Sequence, residues 1–386
     1  MTTPYKSLRA LIAGFVINLS IGVLYGWGIF VVPLEELLNI SRSTISIVPA
    51  TGLLLFTVGV YVHDILVNRL HPSALAFGVM MVAGAGHLIF YLYPSYFTLL
   101  AGYGVLFGLS AGISYGFALM LARRVSLISQ GLAIGSTVAA FAIGGMIVSL
   151  LASFFDVSQH TVNVFGFGSI LYFIIAIFTW ALLRNYVLNS ETPAEKSGAS
   201  DIIKTPQFWK LAFVYFCMSY TGLMIVSHGA AVMLEREAPA SIVSLTPFAL
   251  NFGYMLGAII GGVLIARSPT PAIPFLFMSL SALSLSALVT TLPVPVWLLA
   301  VFCIGLQFGS TVSIFVVLLV KTYGELNAGH LFGRINIGYG TAGFLAPVVT
   351  ANLYDYGDNY SLPIWGAILL SIMCILTITS LARSKS

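Results

Sequence analysis

Charge is what this sequence has least of. Of 386 residues, 16 are Lys or Arg and 12 are Asp or Glu, 7% in all, against roughly 25% in a typical soluble domain. With 59% of the residues hydrophobic, there is too little polar surface to cover a water-soluble fold, so a soluble globular protein is excluded. Cysteine is equally scarce. Cys217, Cys303 and Cys374 all sit in apolar stretches, with no pairing pattern for a disulfide framework and no spacing for a metal site. No Ser/His/Asp set, metal-spaced His/Cys cluster or phosphate-cradling loop is present, which argues against an enzyme and offers no cofactor a place.

Apolar runs fill the chain instead. Stretches free of Asp, Glu, Lys and Arg cover 10–34, 43–63, 70–122, 125–155, 157–183, 211–234, 238–266, 268–320, 335–354 and 359–382. A membrane-crossing helix needs about 20 mostly apolar residues, because in the hydrocarbon core each backbone amide must be satisfied within its own segment. Two of the stretches, 70–122 and 268–320, are 53 residues long, too long for one crossing. Each has a breaker near its middle, Tyr93-Pro94-Ser95 and Leu292-Pro293-Val294-Pro295, and splitting both predicts twelve spans. The first stretch, with Tyr25, Trp27 and Phe30, exceeds the short apolar core of a signal peptide and reads as the first span.

Twelve spans put both termini on one side. That side collects 14 of the 16 basic residues, leaving only Arg42 and Arg236 on the other. This asymmetry places both termini in the cytoplasm, with a bacterial cytoplasmic (inner) membrane as the expected location. The net charge of +4 then reflects topology and not nucleic-acid binding. A polar stretch over 185–206, containing Glu191, Pro193, Glu195, Lys196 and Gly198, reads as a cytoplasmic linker between six-helix bundles at 1–184 and 207–386.

The halves repeat. A shift of 197 residues lays Gly108-Leu109 and Gly112 on Gly305-Leu306 and Gly309, and Arg124 on Lys321. A shift of 198 lays Arg69 on Arg267 and superimposes the two long uncharged stretches. A parallel six-span repeat has its symmetry axis along the membrane normal. The fold class expected is an all-α membrane protein with twelve transmembrane helices in two pseudo-twofold-related six-helix bundles.

Four stretches carry a more specific signal. Asn18, Gly22, Tyr25, Trp27, Phe30 and Pro33 mark the first span, and Gly131, Gly135, Phe141 and Gly144 the fifth. Thr205-Pro206-Gln207-Phe208-Trp209 leads to Gly222 in the seventh, and Phe332-Gly333-Arg334 leads to Ala342-Gly343 and Ala346-Pro347 in the eleventh. In that order, on a twelve-span pattern, they resemble the oxalate/formate antiporter family of the major facilitator superfamily, relatives of the monocarboxylate transporters. The resemblance covers nearly the whole chain and implies the major facilitator fold and a secondary transporter working by alternating access. It also implies cations in the eighth and eleventh spans that hold a dicarboxylate. Here Asn251-Phe252-Gly253-Tyr254 places Tyr254 at the first, and alignment on Ala342-Gly343 places Tyr339 at the second. Both changes remove a charge that a membrane interior keeps only for a ligand or ion, which makes oxalate a poor substrate.

Recognition must then fall to neutral groups, because no Asp, Glu, Lys or Arg lies well inside any predicted span. Asn336, Tyr339, Gly340 and Gly343 share one face of the eleventh helix; Asn251, Tyr254 and Ala258 share one in the eighth. Gln307, Ser310 and Thr311 form a stripe in the tenth, Asn18, Gly22 and Tyr25 another in the first, and Tyr115 stands in the fourth. Tyr25, Tyr115, His228, Asn251, Tyr254, Gln307, Asn336 and Tyr339 are the candidate substrate-binding residues. The competing reading is that such residues cross-link helices, a contribution of about 0.6–2 kcal/mol each. His228 follows Cys217, Thr221 and Met224 along the seventh span, and His87 occupies the third. An imidazole titrates near neutral pH, so either could carry a coupling proton, although packing is the stronger reading for a lone membrane histidine. Glycine ridges at Gly253, Gly257 and Gly261, and at Gly104, Gly108 and Gly112, predict close helix packing.

Asp64 and Arg69 match the cytoplasmic latch that major facilitator proteins carry between the second and third helices, with Val67 at its usual glycine. The second half keeps Arg267 but has Ala266 in place of the acid. Asp64, Arg69, Arg124 and Arg267 are the candidate gating residues. The function expected is a monomeric carrier of a small monocarboxylate or similar organic anion, with a proton as candidate co-substrate and the lipid bilayer as its environment. Alternatives are a carrier of neutral or amphipathic solutes and a transporter-like sensor that binds without moving its ligand.

Overall fold

The computed structural model describes residues 4–124, 130–154, 157–186, 199–323 and 331–383. Among these, twelve helices of 17 residues or more follow one another: α1 (Ser7–Leu38), α2 (Arg42–Val67), α3 (Pro72–Leu92), α4 (Tyr96–Ala122), α5 (Gln130–Phe154), α6 (Val157–Leu183), α7 (Pro206–Glu235), α8 (Ala240–Arg267), α9 (Ala272–Leu288), α10 (Val294–Tyr323), α11 (Ile337–Gly357) and α12 (Ser361–Arg383). Ten are long and apolar enough to cross a membrane. The other two are α9, 17 residues long and so about 26 Å at 1.5 Å per residue, and α11, whose 21 residues are diluted by Thr341, Thr350, Asn352 and Asp355. Both predicted breakers interrupt the chain. The α3 helix stops at Leu92, and Ser95 caps α4 in a reciprocal capping box with Thr98; α9 stops at Leu288 and α10 starts at Val294.

The chain divides into two compact units, Met1–Glu191 and Thr192–Ser386. The linker expected over 185–206 lies largely outside the described residues, which resume with a short helical turn at Ala199–Ile202. Within the first unit, α2 packs on α4, α3 on α6, and α1 on α4, α5 and α6. Within the second, α8 packs on α10, α9 on α12, and α7 on α10, α11 and α12. Adding six to each helix number converts one scheme into the other, so the sequence repeat is a repeat of packing.

Glycine fixes the register of the principal pair in each unit. A β-carbon on Gly112 would overlap the carbonyl of Phe56, and one on Gly309 the carbonyl of Tyr254. These are equivalent positions one repeat apart, and at both the backbones meet where only hydrogen fits. Outward-facing positions are apolar: Phe167 and Leu283 are each 74% exposed, which suits contact with lipid and not water.

Three helices of the first unit are irregular: α6 kinks at His160, and α1 and α4 depart from α-helical winding. The Gly22–Phe30 stretch of α1 tightens into 3₁₀ turns, and Leu100–Phe107 of α4 widens into π turns. Gly22, Gly26 and Gly28 weaken α-helix preference in the first stretch, and Gly102 and Gly104 in the second.

Candidate functional site

In the second unit, the close approach of α8 and α10 sets the side chains beside it. Phe308 of α10 lies over Gly222 of α7, where a β-carbon would meet its ring, and packs edge-on against Tyr254 of α8 with centroids 5.2 Å apart. One residue earlier, Gln307 is fully buried. Its Oε1 accepts from Thr221 Oγ1 at 3.0 Å, and its Nε2 donates to the Met218 carbonyl at 3.1 Å and to Thr311 Oγ1 at 3.3 Å. The amide therefore ties α10 to α7. Asn251, also fully buried, donates from Nδ2 to the Pro247 carbonyl one turn back at 2.8 Å.

His228 is committed in another direction. Its Nε2 lies 3.0 Å from the Pro347 carbonyl, and its Nδ1 lies 3.0 Å from the Tyr360 hydroxyl. A carbonyl only accepts, so Nε2 carries the proton, and Nδ1 of the neutral ring accepts from Tyr360. The imidazole thus joins α7 to α11 and to the start of α12, with no exposed surface. Tyr339 sits on α11 and is 6% exposed, as is Tyr254; both side chains belong to the interior and not to the lipid face. Asn336 is the N-cap of α11 in helical backbone conformation: its amide donates to the Phe332 carbonyl, its carbonyl accepts the amide of Gly340, and its Oδ1 accepts from Tyr215 at 3.3 Å.

The two candidates in the first unit meet through a shared neighbour. The Phe141 ring of α5 lies 4.7 Å from Tyr25 and 5.7 Å from Tyr115, and Phe56 completes the group 5.4 Å from Tyr115. Nearby, Asn18 Nδ2 donates to the Thr137 carbonyl at 2.7 Å, tying α1 to α5. His87 sits elsewhere. Its Nδ1 donates to Ala83 O at 2.9 Å, and its ring is enclosed by Tyr103, Phe107, Phe165 and Tyr172.

Among the gating candidates, Asp64 contacts His63 Nε2 at 3.1 Å, while Arg69 is exposed beyond the helix end. Arg124 stands beside Tyr186, whose phenol is pushed up by burial and pulled back by the guanidinium. At the matching end of the second unit, Lys321 Nζ donates to the Ala266 carbonyl at 2.6 Å next to the exposed Arg267. A backbone carbonyl at the C-terminus of α8 thus serves where the motif would have an acid, a favourable seat for a cation. Lys321 was readable only as the repeat partner of Arg124. Tyr215 and Tyr360 carried no signal at all, because their partners lie 121 and 132 residues away in sequence.

A profile of the Major Facilitator Superfamily matches residues 10–382. The chain belongs to that superfamily. It is 22% identical over 356 residues to the uncharacterized MFS-type transporter YhjX of Escherichia coli (strain K12), covering 86% of this chain and 84% of the relative. It is 25% identical over 219 residues to the oxalate:formate antiporter of Oxalobacter formigenes, covering 54% of this chain and 50% of that one. Among solved structures, the nucleoside transporter NupG superimposes with a TM-score of 0.77 at 12% identity, covering 97% of this chain and 99% of the other. A bacterial homolog of the human lysosomal transporter Spinster, inward-facing and unoccupied, gives 0.73 at 13% identity with 99% and 98% covered. At such identities the structures establish the fold, which is the all-α major facilitator fold. The protein is an integral membrane secondary transporter with a small-molecule substrate.

Proposed function

We propose that this major facilitator protein carries a small monocarboxylate or similar organic anion by alternating access, through a binding region without fixed charge. The observation that carries the reading is the pair Tyr254 and Tyr339. Both stand where the resemblance to the oxalate/formate antiporters expects cations, and both are buried in the interior of their unit. A phenol donates one hydrogen bond to a carboxylate, and apolar surroundings strengthen it. It cannot balance two full negative charges, so a monoanion suits such a site better than oxalate does. The oxalate:formate antiporter among the relatives supports the anion class, since formate is itself a monocarboxylate.

His87 and His228, both buried, are the candidates for a coupling proton. Fourteen of 16 basic residues on one predicted face support cytoplasmic termini in a bacterial inner membrane. Counterflow into proteoliposomes with labelled formate, acetate and lactate, beside oxalate and acetamide, tests the proposal. Saturable monocarboxylate exchange with no oxalate exchange is expected. Exchange of acetamide alone would replace it with the neutral-solute reading, and uptake indifferent to a pH gradient would remove the proton.

A further inference from the structure

Two arginines lie on the predicted face opposite the basic-rich one, Arg42 and Arg236, and their guanidinium groups differ. Arg42 turns its Nε and Nη2 edge toward Glu35. Nε is 2.8 Å from both carboxylate oxygens, Nη2 is 2.5 Å from Oε2, and the two side chains are only 10% and 13% exposed. This is the bidentate fork that a planar guanidinium offers a carboxylate. In Arg236 the same two atoms, Nε and Nη2, are buried and have no hydrogen-bond partner.

Neighbouring acids do not supply one. Glu235 Oε2 accepts the backbone amide of Tyr360 at 2.8 Å, and Glu237 is exposed and in the left-handed region at φ 56°. The backbone amide of Arg236 bonds to the Val232 carbonyl, so the residue is anchored as the C-cap of α7. A cation is welcome at that helix end, but the helix does not saturate its donors. The residue as a whole is half-buried, and donors of a cation that are buried and left unpaired cost free energy that a carboxylate partner would recover.

We infer that Arg236 is a carboxylate-binding residue, whose Nε–H and Nη2–H take the two oxygens of a monocarboxylate when the α7–α8 turn opens to solvent, as those of Arg42 take Glu35. The inference rests on the organic-anion reading above and locates a capture point for it. From Arg236, α7 runs 15 residues back to Thr221, the partner of Gln307, a path of about 22 Å at helical rise. An anion held at the turn would thus sit at one end of the helix whose middle carries the neutral donors.

The test is thermal stability of the detergent-purified full chain titrated with sodium acetate, with acetamide and sodium chloride as controls. Acetate alone is expected to raise Tm. Arg236→Gln should weaken that response at least tenfold, and Arg236→Lys, which keeps the charge but not the fork, should weaken it less. Without acetate, Arg236→Gln should be at least as stable as the wild type, whereas Arg42→Gln, which strands Glu35, should melt lower. An equal acetate response in wild type and Arg236→Gln, or no response in the wild type, overturns the inference. Should Arg236→Gln not fold, an unweakened response in Arg236→Lys overturns it equally. Counterflow separates the two claims: monocarboxylate exchange with an unchanged KM in Arg236→Gln rejects this residue and keeps the function. Arg236-dependent acetate binding without monocarboxylate exchange does the reverse.

Discussion

The two units share a packing scheme and differ in what they place inside it. In the first, α1 tightens to 3₁₀ turns and α4 widens to π turns around an aromatic cluster in which Trp27, Tyr103 and His87 follow one another at 4.7 and 5.7 Å. The Trp27 Nε1 and the Tyr103 hydroxyl are buried there without hydrogen-bond partners. In the second, α7 and α10 are continuous α-helices, and two of their buried polar side chains make several hydrogen bonds: Gln307 with Thr221, Met218 and Thr311, and His228 with Tyr360 and Pro347. A duplicated framework therefore constrains helix pairing and leaves interior chemistry free. The framework is held by backbone contact at glycine, which tolerates no side chain, while the interior is held by side chains, which can be exchanged.

The largest expected effect falls on what the units share. Gly112→Val and Gly309→Val each force a side chain into a partner carbonyl, in one case that of Phe56 and in the other that of Tyr254. Overpacking of this kind typically costs 1–3 kcal/mol or more, and with backbone on the far side neither helix can yield cheaply. Both variants should lose monodisperse protein in fluorescence-detected size-exclusion chromatography. If only one did, the two contacts would not be equivalent.

Next come the hydroxyls proposed to face the substrate. Tyr254→Phe and Tyr339→Phe should each reduce transport about tenfold, the ~1.4 kcal/mol of a hydrogen bond to a charged group, with expression intact. Wild-type flux in both would remove them from the site and leave Arg236 as the anion contact in the second unit. A smaller effect is expected of Gln307→Leu, which takes away the interhelical acceptor of Thr221 Oγ1 at 3.0 Å and leaves it the Met218 carbonyl of its own helix at 3.3 Å. Interhelical hydrogen bonds in membranes contribute about 0.6–1.7 kcal/mol. A Tm loss of that order should be partly recovered in the double variant with Thr221→Val, and strict additivity would mean that the pair does not couple.

Much of the framework was legible in the residues. Charge spacing placed the helices, Pro94 and Pro293 divided the two long runs, and the glycines at 108 and 112 matched those at 305 and 309 because close packing leaves a periodic trace. The interior was legible only in part. That Gln307 would be buried follows from its stripe, but which of several polar stripes it faces does not. His228 finds partners 119 and 132 residues away, beyond any local pattern. The 3₁₀ and π turns left no trace in the hydrophobic pattern, since Gly22–Phe30 and Leu100–Phe107 are largely apolar on every side and periodicity registers only a contrast between faces; their glycines weaken the α-helix without saying which way it departs. The latch shows the limit of motif reading. An acid was sought near Arg267, whereas the cation bonded at that end is Lys321, and its acceptor is a carbonyl that any residue at 266 would provide.

The finest test addresses the first unit alone. Trp27→Phe removes a buried indole N–H that has no acceptor and keeps an aromatic ring against Tyr103. Removing a buried donor that is already unpaired releases its desolvation cost, about 1 kcal/mol or more, and opposing this is the smaller ring, which gives up some packing. The two nearly cancel, so Trp27→Phe should shift Tm by only a few degrees in either direction. In the second unit the analogous loss of a saturated group, His228→Phe, has no such offset, because it leaves the Pro347 carbonyl without its donor; it should destabilise clearly more. Were Trp27→Phe the more damaging of the two, the indole N–H would have to be bonded in the working protein, most simply to an internal water. The contrast between the Trp27 and His228 sites would then disappear.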